Sequence, residues 1–293
     1  MSKILVTGAT GHLGNAITES LLKKTNADRV NILVRDPEKA AEFKAKGVNV
    51  LTGDYNDADS LVNAFKGIDK LYLVSGNDIP NRAGQHESII NAAKKAGVKH
   101  IVYSSFQRKE DSEDSAIAFV AVSHIYTENL LKTSGLTYTI LRHALYTDMI
   151  PIFAGEHLLE NKSIYLPAGS GKSAFALRAD LAEAGANVLL DETGKYDNRE
   201  IELTGPESLS WEQIAAIISE ITGENITYTS PSVTEFTAAL TNAGVPDEYI
   251  GIFAGFSKAI DDNEFEEAND ELGSLLGRQP VTIAAYLQTV YGK

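Results

Sequence analysis

Three glycines near the start of the chain are spaced so that a phosphate group could approach the backbone. The segment TGATGHLG at residues 7–14 follows an apolar run and precedes a helical pattern. Glycine allows a sharp turn and leaves no side chain between the backbone and a ligand. The N–H groups at the start of the helix then offer hydrogen bonds and a partial positive charge. The pattern predicts a dinucleotide-binding turn. The residues assigned to it are Thr7, Gly8, Thr10, Gly11, His12, Leu13 and Gly14.

The end of the second apolar run carries the residues that would distinguish NADP from NAD. Proteins that select NAD place a carboxylate there for the ribose 2′-hydroxyl, whereas this chain reads Val34-Arg35-Asp36. The planar guanidinium of Arg35 suits a 2′-phosphate, with which it can form paired hydrogen bonds. We therefore expect NADP(H) to be preferred over NAD(H). Two alternatives stay open: Asp36 could hold a 2′-hydroxyl, and Arg35 could form a surface ion pair.

Polar residues that follow the third, fourth and fifth apolar runs complete the predicted cofactor site. Asp54 and Tyr55 would lie beside the adenine, where Asp54 could accept a hydrogen bond from the amino group or simply form a turn. Gly76 would let the chain pass close to a ribose. Serine hydroxyls after the fifth run would point into the same crevice. The other residues assigned to these segments are Ser75, Asn77, Ser104 and Ser105.

Short apolar runs alternate with helical patterns through the first 145 residues. The runs lie at 3–7, 30–34, 48–51, 71–74, 101–104 and 137–141, and the helical patterns between them at 12–24, 37–46, 57–65, 82–96 and 117–134. Strands that are separated by helices run parallel with right-handed crossovers. The alternation predicts an α/β fold with a doubly wound parallel sheet of the Rossmann type, and its carboxyl edge would carry the residues assigned above.

After Leu145 the alternation changes, and we expect a smaller C-terminal α/β lobe. Ser210, followed three residues later by Gln213, is typical of a capping box that starts a helix. The predicted domains are an NAD(P)-binding Rossmann domain at 1–150 and a smaller substrate-binding lobe at 151–293, whose strands could return to the main sheet. Within the lobe we expect strands at 163–165, 174–177, 201–203 and 226–228, and helices at 179–190, 232–242, 246–260 and 280–289.

Several motifs of the chain resemble one known family. TGATGHLG, LVRDPEKA, GDYND, AAKKAGVKHIVYSS and SGLTYTILRHALYTD are similar to motifs of the NmrA-like, atypical short-chain dehydrogenase/reductases. The likeness is to the branch of type 2 NAD(P)H:quinone oxidoreductases and triphenylmethane reductases, and it covers nearly the whole chain. The resemblance implies NADPH-dependent reduction of quinones, dyes or similar planar acceptors, often by a homodimer.

One departure from the ordinary members of that superfamily bears on the chemistry. Their YxxxK motif supplies a proton-donating tyrosine and a lysine that lowers its pKa, but none of the 12 tyrosines has a lysine four residues later. Ketoreductases and sugar-nucleotide epimerases depend on that pair, so both activities are disfavoured. A quinone can be reduced without it, because the reduced oxygen is a weakly basic phenolate that can take its proton from water or an imidazole.

Two residues are candidates for the reacting end of the crevice. His124, on the helix after the fifth strand, would face the crevice and orient the nicotinamide ribose or supply a proton; its alternative is a structural histidine. Tyr146, after the sixth strand, would stack on a flat acceptor or be a core aromatic residue. A non-catalytic, NmrA-like regulatory protein that binds NAD(P) is the alternative function.

Composition and charge disfavour several classes of partner. A formal net charge of −14 repels phosphate backbones and anionic lipid, so we expect neither nucleic-acid nor membrane binding. The chain has no cysteine and no histidine spacing typical of a metal site, so we expect no metal. No apolar stretch approaches the ~20 residues of a membrane span, and no signal-peptide pattern opens the sequence. We therefore expect a cytoplasmic protein.

Overall fold

A seven-stranded parallel sheet forms the centre of the computed structural model, which describes residues 2–109 and 111–292. Its strands, numbered along the chain, are β1 Ile4–Val6, β2 Val30–Val34, β3 Asn49–Thr52, β4 Lys70–Leu73, β5 His100–Phe106, β6 Thr137–His143 and β9 Arg199–Leu203. They lie in the order β3-β2-β1-β4-β5-β6-β9, and every neighbouring pair is parallel. This order is that of the doubly wound Rossmann fold, as predicted.

Helices cover both faces of the sheet because the central strands are apolar on both sides. They are α1 His12–Leu22, α2 Ala41–Ala45, α3 Ala58–Phe65, α4 Arg82–Ala96, α5 Ala118–Thr133 and α8 Arg178–Leu190. In β1, Ile4 and Val6 share one apolar core with α1 and α8, whereas Leu5 shares the opposite core with α3, α4 and α5. This alternation is the period of two that a strand imposes on its side chains.

The remaining elements belong to the second half of the chain. Most of them form the smaller lobe around a separate apolar core, whereas the helix Glu271–Leu276 packs on α8 and shares the core of the main sheet. The remaining elements are α6 Ile150–Ala154, α7 Leu158–Asn161, β7 Ser163–Tyr165, β8 Lys172–Ser173, β10 Leu209–Ser210, α9 Trp211–Thr222, β11 Thr227–Thr229, α10 Val233–Asn242, α11 Asp247–Asp261, α12 Glu271–Leu276 and α13 Ile283–Tyr291. The capping box of Ser210 and Gln213 opens α9, as predicted. No helix in the described ranges is both long and apolar enough to span a bilayer.

The second half of the chain contains short elements that the sequence did not predict, namely α6, α7, β8, β10 and α12, and it lacks one strand that was predicted. The sequence predicts a strand at 174–177, but the paired residues are those of β8, and a single bridge joins Ala176 to Tyr146. The N–H of Ala174 donates to the carbonyl of Phe265, and that of Ala176 to the carbonyl of Leu145. Loop contacts therefore bury this apolar run, and the chain returns to the main sheet through α8 and β9.

Candidate functional site

An open cleft of about 790 Å³ lies where the first four strands of the sheet end. Most of the residues that the sequence assigns to a cofactor site line this cleft. They are Gly8, Thr10, Gly11, His12, Leu13, Gly14, Arg35, Asp54, Tyr55, Ser75, Gly76 and Asn77, together with Tyr146. The cleft is also lined by several residues that the sequence did not single out, among them Asn56, Asp78, Gln85, Met149 and Arg178.

The glycine turn brings the backbone to the floor of the cleft. Gly8 has a φ of +60°, in the left-handed region that glycine adopts without strain. A Cβ at Gly14 would stand 2.3 Å from the carbonyl oxygen of Gly8, so the helix and the turn pack too closely for any side chain there. Gly11 occupies the N-cap of α1 and offers no side-chain cap. The first N–H groups of the helix are thus suited to an anionic ligand.

Thr7 does not line the cleft, contrary to the prediction. It is fully buried, and its hydroxyl donates to the carbonyl of Tyr72 at 3.3 Å and accepts from the N–H of Val74 at 3.0 Å. The side chain points between two strands because it is the last residue before the turn leaves the sheet. Thr7 therefore joins the ends of β1 and β4 and supports the cleft from below.

At the end of β2, the side chains of Arg35 and Asp36 have different environments. Arg35 is exposed and lines the cleft, and none of the ion pairs formed by the described residues includes it. The carboxylate of Asp36 accepts the N–H of Glu38 at 3.1 Å and caps the short 3₁₀ turn Pro37–Ala40. The local backbone thus engages the carboxylate, and the guanidinium remains in the cleft.

Asp54 and Tyr55 form the wall after β3. One carboxylate oxygen of Asp54 accepts the backbone N–H of Asn56 at 2.9 Å and its side-chain amide at 3.2 Å, so Asp54 forms a turn as well as lining the cleft. Burial raises the pKa of Tyr55, although hydrogen bonding to Thr7 and to the Gly8 backbone opposes the rise. The Tyr55 side chain therefore lies directly against the glycine turn.

The segment 75–77 after β4 is held from behind by side chains of other elements. The N–H of Gly76 donates to Nε2 of His86 at 3.2 Å, and its carbonyl accepts from Nε of Arg82 at 2.6 Å. The N–H of Ser75 donates to the hydroxyl of Ser104 at 2.9 Å. Both sides of the Gly76 peptide are thus fixed, which determines where this wall of the cleft stands.

Ser104 and Ser105 do not line the cleft, contrary to the prediction. Both are buried, because β5 continues to Phe106 and carries them within the sheet. Ser104 supports the neighbouring segment through Ser75. Ser105 donates to the carboxylate of Glu128, which also binds Arg108. These serines therefore stabilise the sheet edge beneath the cleft.

His124 is also absent from the wall of the cleft, where the sequence placed it. It is 4% exposed, with Nδ1 2.6 Å from the hydroxyl of Tyr103 and Nε2 3.3 Å from Nη1 of Arg82, and its ring stacks on Phe106. Burial and the charge of Arg82 hold its pKa well below the usual range. The helical pattern identified the inward face of α5, but not the side chains of β5 and α4 that cover it.

Tyr146 and Arg178, which come late in the sequence among the residues that line the cleft, form one end of it. The guanidinium of Arg178 lies over the Tyr146 ring, 4.5 Å from its centroid, and Nη1 is 2.7 Å from the carboxylate of Asp148. Burial raises the pKa of Tyr146 to about 12, so its hydroxyl stays protonated at neutral pH. The sequence signal for Arg178 is a cation that directly follows the apolar run 174–177 and starts α8.

Comparison with known proteins places these features in a family. The NmrA-like family matches residues 1–287. The chain is 36% identical over 281 residues to quinone oxidoreductase 2 of Escherichia coli, a match that covers 96% of each chain. The structure of the NADPH-dependent quinone oxidoreductase of E. coli complexed with NADPH has a TM-score of 0.92 and 35% identity, and it covers 99% of this chain and 100% of its own.

A second relative is similar to this chain over nearly its whole length. The triphenylmethane reductase of Citrobacter sp., complexed with NADP(H), has a TM-score of 0.89 and 36% identity, and it covers 98% of this chain and 99% of its own. Both matches therefore extend over the lobe as well as the sheet. On the family match and on these relatives, the chain belongs to the NmrA-like family.

Proposed function

We propose that this chain is an NADPH-dependent oxidoreductase that reduces quinones or similar planar acceptors without a Tyr/Lys proton relay. The observation that carries the proposal is the cleft itself, which joins a glycine turn and the exposed Arg35 to an aromatic end at Tyr146. Relatives of this chain are a quinone oxidoreductase complexed with NADPH and a triphenylmethane reductase complexed with NADP(H). Their similarity over nearly the full length supports the same class of reaction.

The residues of the cleft fit a bound NADPH. The Gly8–Gly14 turn and the N-terminus of α1 would hold the diphosphate, since no side chain intervenes there. Arg35 would bind the 2′-phosphate, and the 75–77 segment would lie along a ribose. When bound, the cofactor supplies a hydride from its nicotinamide ring. The chain's own contribution is then to hold the acceptor against that ring and to keep water out of the contact.

Tyr146 and Arg178 are the residues proposed for the acceptor. The Arg178 guanidinium covers one face of the Tyr146 ring, so the ring would offer its opposite face to the acceptor. Arg178, fixed by Asp148, brings positive charge to the same end of the cleft. Negative charge that develops on an acceptor oxygen is stabilised by such a preoriented cation. A quinone needs no more than this, because its reduced oxygen can take a proton from water. The predicted proton donor, His124, is too deeply buried to serve.

A direct assay tests the proposal. Purified protein is mixed with NADPH and a naphthoquinone, and the loss of absorbance at the reduced-nicotinamide band is followed. We expect oxidation that saturates with both substrates and exceeds the uncatalysed rate. Arg35→Ala should require more NADPH for the same rate, which would place turnover in this cleft. Tight NADPH binding without turnover would contradict the proposal and favour a regulatory protein.

A further inference from the structure

A buried arginine lies directly behind the 75–77 wall of the cleft. Arg82, at the start of α4, is 6% exposed. Its Nε donates to the carbonyl of Gly76, and its Nη1 is 3.3 Å from both the hydroxyl of Ser123 and Nε2 of His124. A guanidinium does not lose its proton in a protein. Arg82 is therefore a positive charge within the fold, one residue layer from the cleft.

The hydrogen-bond partners of Arg82 carry no negative charge. One is a carbonyl and one a hydroxyl, and His124 is neutral because burial holds its pKa far below neutrality. Within residues 2–109 and 111–292, no carboxylate forms an ion pair with Arg82. The nearby Asp78 is exposed and is bound by the side chains of Asn81 and Gln85. Neutral partners thus bind Nε and Nη1 of the guanidinium, and none of them pairs its charge directly.

The field of this charge acts on the end of the cleft that holds Tyr146. The positive charge of Arg82 favours the ionised form of Tyr146, in opposition to the burial that raises the pKa of that hydroxyl. His86, which binds the other side of the Gly76 peptide, is itself kept neutral, because burial and Arg82 lower its pKa to about 3. The buried groups that contact Arg82 are therefore neutral at physiological pH, and the carboxylate whose charge acts on it, Asp78, is exposed to solvent at the rim of the cleft.

We propose that Arg82 makes the cleft prefer the reduced over the oxidised form of its cofactor. The inference rests on the proposed function, since it requires a nicotinamide dinucleotide in this cleft. The nicotinamide ring is neutral in NADPH and carries one positive charge in NADP⁺. A fixed cation behind the 75–77 segment attracts the phosphates of both forms but repels the ring of the oxidised form alone. Arg82 is a positioning residue, because it acts through the Gly76 peptide and the field. Its role would be to bind fresh cofactor and release spent cofactor.

Binding measurements on three ligands test this role without any turnover. Dissociation constants for NADPH, NADP⁺ and 2′-phospho-ADP-ribose, which lacks the nicotinamide, are measured by calorimetry at low ionic strength. In the wild type we expect NADP⁺ to bind at least about fivefold more weakly than NADPH, which corresponds to about 1 kcal/mol. Arg82→Gln should reduce that ratio at least about fivefold. Arg82→Lys keeps the charge and should keep the ratio.

The outcomes separate a charge effect from a structural one. If Arg82→Gln weakens all three ligands by the same factor, Arg82 only supports the fold and the inference is wrong. The inference is also wrong if the wild type binds NADP⁺ as tightly as NADPH or more tightly. This measurement needs no variant, so it tests the inference even if Arg82→Gln does not fold. Either result leaves the proposal of quinone reduction in this cleft unaffected. A wild type that binds none of the three ligands would instead contradict the proposed function, and the inference with it.

Discussion

Arg35 and Asp36 are adjacent in sequence, yet the backbone gives them separate environments. The carboxylate of Asp36 is engaged as the cap of the turn that follows β2, while Arg35 remains exposed along the cleft. A lone carboxylate at this position would favour the 2′-hydroxyl of NAD, and a lone guanidinium favours the 2′-phosphate of NADP. The capping bond of Asp36 thus weakens the alternative in which this carboxylate holds a 2′-hydroxyl, and the proposed selectivity for NADP rests mainly on Arg35.

Loss of that side chain should affect NADPH but not NADH. We expect Arg35→Ala to raise the dissociation constant for NADPH at least about tenfold, or about 1.4 kcal/mol, because the paired hydrogen bonds to the 2′-phosphate are lost. Calorimetric titration with both cofactors measures the change. Lys39→Ala removes an exposed cation nearby that does not line the cleft, and it should change neither constant. Equal losses for NADH and NADPH would refute the 2′-phosphate role.

At the scale of the elements, the close approach of α1 to the glycine turn allows a paired test. A Cβ at Gly14 would meet the Gly8 carbonyl oxygen at 2.3 Å, whereas a Cβ at Gly84, within α4, would meet nothing within 4 Å. We expect Gly14→Ala to lower the free energy of unfolding by about 1–3 kcal/mol through overpacking and to weaken NADPH binding. Gly84→Ala should raise it by about 0.5–1 kcal/mol, since alanine favours helix.

Urea denaturation of the two variants and calorimetry with NADPH measure these effects. The two substitutions are chemically identical, so a general effect of alanine on the chain cannot produce opposite signs. A Gly14→Ala protein with wild-type stability and wild-type NADPH affinity would show that the turn relaxes freely and would remove the steric argument.

A second group of residues joins β5, β6 and α5. Glu128 is 1% exposed and binds Arg108 and Arg142 through charge-assisted hydrogen bonds, with Ser105 as a third donor. Burial alone would raise the pKa of Glu128, but these hydrogen bonds lower it to about 2. The pKa of this carboxyl is thus lower in the folded than in the unfolded state. Such a group stabilises the fold at pH values above its unfolded-state pKa, and this stabilisation is lost as the pH falls toward its folded-state pKa.

Acid should therefore weaken the wild type more than a variant that cannot ionise. Between about pH 4.5 and 2, we expect the wild type to lose on the order of 3 kcal/mol of unfolding free energy that Glu128→Gln, already less stable at pH 7, does not lose. Urea unfolding at several pH values in this interval measures the difference. Parallel pH dependence of the two proteins would show that Glu128 does not carry this stability.

At the scale of the whole molecule, the features predicted from sequence are those encoded by neighbouring residues. The apolar periodicity fixed the order of strands and helices, and glycine spacing located the turn at residues 7–14, because both depend on local backbone geometry. The placement of His124 failed for a different reason. Its position depends on Tyr103 and Phe106 of β5 and on Arg82 of α4, which only the tertiary packing brings together. The sequence pattern did not identify Arg178 for the same reason, because its partner Asp148 lies thirty residues earlier in the chain.

The arrangement around Tyr146 predicts whether the proposed reductase would act on quinones or on ketones. Tyr146 has Arg178 rather than a lysine beside it, and its pKa is raised to about 12 rather than lowered, which makes it a poor proton donor. An alkoxide formed from a ketone needs a good proton donor, and a positioned general acid contributes roughly 10²–10⁴-fold to the rate. We therefore expect kcat/KM for a naphthoquinone to exceed that for cyclohexanone by at least about 10³-fold. Parallel NADPH-oxidation assays measure the ratio, with cofactor binding checked first. Comparable turnover of the two acceptors would mean that an unrecognised acid operates in the cleft.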